Sequence, residues 1–224
     1  ILKDAKARGV DVTVETCPHY LLMSTDDMTT LGGALRVNPP VREPGHAEAL
    51  WEALHEGTID MIATDHAPHQ PDEKSSKNIW ECDCGFPGVE TQMPIMLTQV
   101  NAGRMTLNQY VKWSAHAPAH AWGCYPNKGV IQAGSDADIV VVSLDKGYII
   151  DRENLHSKSK MTVWHGFETT ATVAWTLVRG RTVVENSVLI GESGWGKKIE
   201  QKMPEPAPQN IEKSMDAIVK APRF

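Results

Sequence analysis

An acid and two histidines close an apolar run in Met61-Ile62-Ala63-Thr64-Asp65-His66-Ala67-Pro68-His69. A run of that length and composition reads as a buried parallel strand, apolar on both faces. Packing gives such a strand no reason to end in an aspartate and two histidines. Chemistry does, because the carboxyl rim of a barrel of parallel strands is where barrel enzymes gather their reactive side chains. A carboxylate there can take up a proton or hold a metal ion. The plainer alternative is that Asp65 caps the next helix, a common duty of aspartate.

Other stretches carry side chains that could join it. The β-branched segment 10–16, Val-Asp-Val-Thr-Val-Glu-Thr, predicts a strand that ends in Cys17-Pro18-His19-Tyr20. His19 could serve a site there, or it could hold a loop beside one. In Leu35-Arg36-Val37-Asn38-Pro39-Pro40-Val41-Arg42 the two prolines fix an extended backbone. That rigid segment suits the presentation of Asn38 and Arg42, and it could equally be a stiff loop. Residues 70–81 are polar and aperiodic, as in a lid or binding loop. They lead to Gly85-Phe86-Pro87-Gly88, where glycine lets backbone approach a ligand closely. His116 and His120 have the spacing of a metal-binding helix face, but no acid lies between them, and alanine-rich surroundings favour a structural role. The methionine stripe at Met93 and Met96 reads as core.

The elements that would position these residues alternate. Residues 1–9 read as the end of a helix stopped by Gly9. Ser24 opens a short helix that Gly32 ends, and residues 45–56 form a helix stopped by Gly57. Helices are expected over 89–100, 107–113 and 118–122. Helix alternating with strand predicts an α/β fold with a parallel sheet. Near Gly129 the texture changes. Strands are expected at Ile139-Val140-Val141-Val142, at Tyr148-Ile149-Ile150, over 170–178 and over 182–185, with Arg179-Gly180-Arg181 as a hairpin turn. The predicted division is therefore 1–128, 129–190, and a Lys-, Pro- and Gln-rich tail over 191–224 that wraps the surface, packs on a partner or is partly disordered.

The net charge of −6 and the lack of a basic stripe argue against a nucleic-acid partner. No apolar run approaches the roughly 20 residues of a membrane span. No signal peptide points to export, so a cytoplasmic location is expected, with Cys17, Cys82, Cys84 and Cys124 as reduced thiols. The opening Ile-Leu-Lys-Asp, without methionine, suggests a piece of a longer protein.

Taken together, Glu15-Thr16-Cys17-Pro18-His19-Tyr20-Leu21, Asn38-Pro39-Pro40-Val41-Arg42, Ala63-Thr64-Asp65-His66-Ala67-Pro68-His69, Gly85-Phe86-Pro87-Gly88-Val89-Glu90-Thr91 and Gly134-Ser135-Asp136-Ala137-Asp138-Ile139-Val140 resemble the cyclic amidohydrolases, the group of dihydroorotases, hydantoinases and allantoinases. The resemblance spans roughly residues 1–190. It implies the C-terminal part of a (β/α)8 TIM barrel followed by part of a small β-sandwich, with residues 10–16 and Met61 on the barrel's last two strands.

On that resemblance Asp65 is a ligand of the catalytic metal and the general base. The metal is one or two divalent ions, zinc by expectation. A metal lowers the pKa of a bound water, and a carboxylate beside it takes the proton. Asn38 would hydrogen-bond the substrate, His69 would bind its free carboxylate, and the backbone at Pro87 and Gly88 would contact the ring. Asn38-Pro39-Pro40 and Asp65-His66-Ala67-Pro68-His69 favour dihydroorotase, which interconverts dihydroorotate and N-carbamoyl-aspartate in pyrimidine synthesis. Glu15-Thr16-Cys17-Pro18-His19-Tyr20 suits an allantoinase or a hydantoinase (dihydropyrimidinase) equally well. The family's other metal ligands, a His-x-His pair, a carbamylated lysine and two further histidines, would precede Ile1, so this stretch alone should be inactive. A homo-oligomer, dimer or tetramer, is expected. A rival reading of a different class is a non-catalytic amidohydrolase-like scaffold.

Overall fold

The computed structural model describes residues 1–201. Helix α1 (Leu2–Ala7) leads to strand β1 (Glu15–Thr16), and α2 (Pro18–Leu22) follows directly. Helix α3 (Thr25–Leu31) begins at Ser24, whose side chain and that of Asp27 cap each other's backbone N–H groups. Helix α4 (His46–Glu56) stops at Gly57, which takes the left-handed conformation that ends many helices. Strand β2 (Met61–Ile62) comes next, then a long loop and helix α5 (Val89–Asn101).

Strands β1 and β2 pair in parallel, Glu15 beside Met61 and Thr16 beside Ile62. A parallel pair separated by helices is what the alternation predicted. Only two residues of the expected strand over 10–16 pair, however. Of the rest, Val14 meets the neighbouring segment, its carbonyl accepting from the Asp60 and Met61 amides. β-branched residues alone do not make a strand where no continuous ladder faces them.

Helix α6 (Leu107–Val111), a wider π-turn (Lys112–His116) and helix α7 (Ala117–Ala121) run on without a break, where two separate helices were expected. Strands β3 (Ile139–Ser143), β4 (Thr172–Val178), β5 (Arg181–Glu185) and β6 (Val188–Leu189) form one antiparallel sheet in that order. Arg179 and Gly180, both at positive φ, make the β4–β5 turn. The expected strand at Tyr148-Ile149-Ile150 is reduced to a single bridge, Ile149 to Glu168. The polar, Pro-rich end of the predicted tail, residues 202–224, lies outside the described residues.

One apolar core joins these parts. Leu21, Leu35, Leu54, Ile62, Phe86, Ile95, Met96 and Trp113 pack together, and Ile150, Trp164 and Ala171 belong to the same cluster. Met96 is fully buried, so the methionine stripe is core as expected. No helix among the described residues is long and apolar enough to cross a membrane.

Candidate functional site

The parallel register fixes which loops become neighbours. β1 and β2 point the same way, so Cys17 to Tyr20 and Ala63 to His69 leave the same edge, joined by the Ala63 amide donating to Thr16 at 2.8 Å. Asp65 lies two residues further on. Its backbone has φ +48, a left-handed conformation that a non-glycine residue adopts uncommonly. Its side chain is exposed, and among the described residues its carboxylate makes no hydrogen bond or ion pair. The next helical turn, Asp72–Lys74, is preceded by Pro71 and has no side-chain cap, so Asp65 caps nothing.

The charge on Asp65 is felt by its neighbours. Burial pushes the Cys17 thiol up to about 12, with the carboxylates of Asp65 and Glu15 adding to it. Burial, then Cys17 and Asp65, also raise the Tyr20 hydroxyl well above its ordinary value. Tyr20 in turn donates its O–H to the Pro39 carbonyl at 2.7 Å, fastening the Asn38 segment beside α2. Asn38 itself is exposed and is joined to Pro39 by a cis peptide bond.

The turn at Gly85-Phe86-Pro87-Gly88 packs directly against the Asp65 loop. A methyl group added at Gly88 would sit 2.8 Å from the Thr64 carbonyl oxygen, and one at Gly85 would sit 2.5 Å from the Ala67 methyl. The Ala67 amide donates to the Phe86 carbonyl. His66 Nδ1 accepts from the backbone N–H groups of Gly88 and Val89, at 3.1 and 3.2 Å. It therefore caps α5, a role the sequence reading did not foresee, and the bond fixes the hydrogen of a neutral His66 on Nε2. Gly88 has its carbonyl engaged as well, by the Gln92 amide and the Thr91 hydroxyl. The Pro87 carbonyl has no partner among the described residues, which leaves it as the acceptor this turn can offer.

His69 is turned away into the loop that follows. Its Nε2 lies 3.1 Å from the Cys84 carbonyl, and its Nδ1 faces the carboxylates of Glu73 and Asp83 at 3.4 and 3.6 Å. These three side chains are the group of possible metal ligands gathered among the described residues, and Asp65 is not in it. His120 stacks on Tyr125 with ring centroids 3.9 Å apart, and His116 meets Tyr125 edge-on, so the three form an aromatic group. Arg42 is exposed. A depression of about 310 Å³ lined by Met23, Asp27, Glu48 and Arg104 does not include Asp65.

His19 is buried between Tyr20 and Phe86, and its Nε2 has no hydrogen-bond partner among the described residues. Burial lowers its pKa from the ordinary 6.5 to about 4. The folded state thus resists a proton that the unfolded chain accepts. The stability held by neutral His19 is complete above about pH 6.5 and is lost as pH falls toward 4. A shift of this size corresponds to about 3 kcal/mol. Urea unfolding at pH 7 and pH 4.5 should show a markedly smaller loss for His19→Gln than for the parent. Equal losses would remove His19 as the cause.

Two parallel strands with helices between them, and an exposed carboxylate following one of them, make this part of the chain a mixed α/β arrangement. A model of the amidohydrolase family matches residues 6–183, and the chain belongs to that family. It is 40% identical over 191 residues to a dihydroorotase of Acetivibrio thermocellus, covering 85% of this chain and 44% of that protein. It is 36% identical over 205 residues to an L-hydantoinase of Paenarthrobacter aurescens, covering 90% and 45%. Among solved structures, the L-hydantoinase from Arthrobacter aurescens superposes with a TM-score of 0.87 at 36% identity, over 89% of this chain and 45% of that one. The D-hydantoinase from Thermus sp. superposes with a TM-score of 0.85 at 29% identity, again over 89% and 45%. The mixed α/β fold is therefore similar to part of the hydantoinase-like TIM-barrel enzymes, and the chain spans under half the length of these relatives.

Proposed function

We propose that the chain is the C-terminal part of a metal-dependent hydrolase of cyclic amide bonds, with dihydroorotate favoured and hydantoins as the alternative. In this reading residues 1–128 complete a barrel, 129–190 contribute strands to a small β-sandwich, and 191–224 form a tail. The observation that carries it is Asp65: an exposed acid with no partner among the described residues, on a left-handed backbone, just beyond a parallel strand. Uncommon backbone geometry of this kind gathers at functional sites.

Asp65 fits a metal as one ligand, since its oxygens are exposed and unengaged. It cannot fit alone, because zinc takes about three protein ligands plus water. The remaining ligands would have to come from a part of the protein upstream of this stretch, as the family resemblance implies. A divalent ion, zinc by preference, would polarise the ring carbonyl and lower the pKa of water. Asp65 would take the proton from the attacking water and return it to the departing amide nitrogen. Asn38 would donate to the ring amide or carboxylate, and the Pro87 carbonyl would accept from a ring N–H. Gly88 would shape the turn, since both its backbone groups are already engaged. The working protein would be a cytoplasmic homo-oligomer.

His69 is the proposed partner of a substrate carboxylate. To serve, its ring must leave Glu73 and Asp83, which would repel that carboxylate. This gives a clean assay. The protein from the full reading frame should be offered dihydroorotate, hydantoin and allantoin. His69→Ala should lose roughly 10- to 100-fold in kcat/KM on dihydroorotate, the worth of a charged hydrogen bond, and far less on hydantoin. Equal losses on both would make His69 a loop residue, and no turnover of any ring would sink the enzymatic reading in favour of a scaffold.

A further inference from the structure

Lys74 sits in the polar loop after the Asp65 segment, where a lysine belongs in water. Instead its side chain is buried, only 3% exposed. Its ammonium group donates to the carbonyls of Arg36 at 2.9 Å, Asp83 at 2.8 Å and Gly85 at 2.8 Å. An ammonium has three N–H donors and no acceptor, so every donor is used. Among the described residues no ion pair neutralises it. Burial accordingly lowers its pKa from the ordinary lysine value.

Filling space does not explain this lysine. Methionine has a similar length and would occupy the same channel without burying a charge, which is costly. What only the ammonium supplies is a three-way junction between backbones that share no sheet. Arg36 lies two residues before Asn38, and Gly85 lies two residues before Pro87. The two strings already touch once, the Gly85 amide donating to the Arg36 carbonyl at 2.9 Å. The Arg36 guanidinium reaches back to the Cys82 carbonyl. A single added contact would let the segments pivot; several converging on one nitrogen fix their separation and angle.

We propose that Lys74 is a positioning residue, whose ammonium group locks the Asn38 segment and the Pro87 turn into one frame so that a ring substrate meets both at once. It rests on the reading above of Asn38 and Pro87 as substrate contacts. Placement of such groups to within a fraction of an ångström matters, because small displacements of binding groups cost large factors in rate.

The test uses the full reading frame with Lys74→Met, which keeps the stem and removes the donors. KM for the ring substrate is expected to rise at least tenfold, with bound metal unchanged. A rise in KM absent, or matched by an equal loss of bound metal, would overturn the proposal. Amide hydrogen exchange gives a readout that needs no activity. Exchange over 36–38 and 83–88 should quicken at least tenfold in the variant, while the buried centre of α5 around Ile95 stays as in the parent. Uniform acceleration would make Lys74 a general support and overturn the proposal, as would no change. Lys74→Gln, which keeps two donors, should fall between parent and Met variant, and it carries the same test where the methionine protein does not fold. If the parent turns over neither dihydroorotate nor hydantoin, the proposed function fails, while exchange still judges Lys74.

Discussion

Asp65→Asn in the full-length protein should lower kcat by a factor of about 10,000 or more while leaving the fold intact. A positioned general base contributes roughly 100- to 10,000-fold, and loss of a ligand weakens the metal as well. Asparagine is the informative replacement. It keeps the shape of the side chain, and it tolerates the left-handed backbone that Asp65 adopts at φ +48. Alanine there would add a backbone cost of roughly 1–2 kcal/mol and blur the result. Stability should move little, within about 0.5 kcal/mol, because the carboxylate has no partner among the described residues to lose. Kinetics, bound metal and a urea melt on one preparation decide it. Undiminished turnover would refute the assignment of Asp65, and a large loss of stability would show a structural role instead.

That an exposed acid follows strand β2 was legible in the sequence, and its surroundings were less so, for physical reasons. An apolar run that ends in an acid is a local signal, readable because barrel strands must be apolar and their ends need not be. Ser24 and Gly57 were readable for a similar reason: caps and left-handed stops act on neighbouring backbone. The strand over 10–16 was overread, because β-branching is local while a ladder needs a partner. His66 and Lys74 carry no local signal at all. A histidine accepting two amide hydrogens 22 and 23 residues away looks like any loop histidine. A lysine among Asp72, Glu73 and Ser75 reads as solvated, and only the return of the chain at Arg36 and Gly85 buries it.

The same logic separates two glycines that look alike in the sequence. Gly85→Ala should cost several kcal/mol of stability and about 100-fold in kcat/KM, whereas Gly45→Ala should cost about 1 kcal/mol and leave turnover unchanged. Both residues have positive φ, +118 and +100, so both replacements carry a backbone penalty. At Gly45 the new methyl group meets nothing within 4 Å. At Gly85 it would stand 2.5 Å from the Ala67 methyl and 2.9 Å from the Ala67 carbonyl, and neither can move without the chain that carries Asp65. Relief requires the Gly85 turn and the Asp65 loop to part, and a displacement near 1 Å is enough for a 100-fold loss. Urea melts and steady-state kinetics of the two variants test this directly. If Gly85→Ala is as stable and as active as Gly45→Ala, the close packing of that turn on the Asp65 loop plays no part in holding the site together.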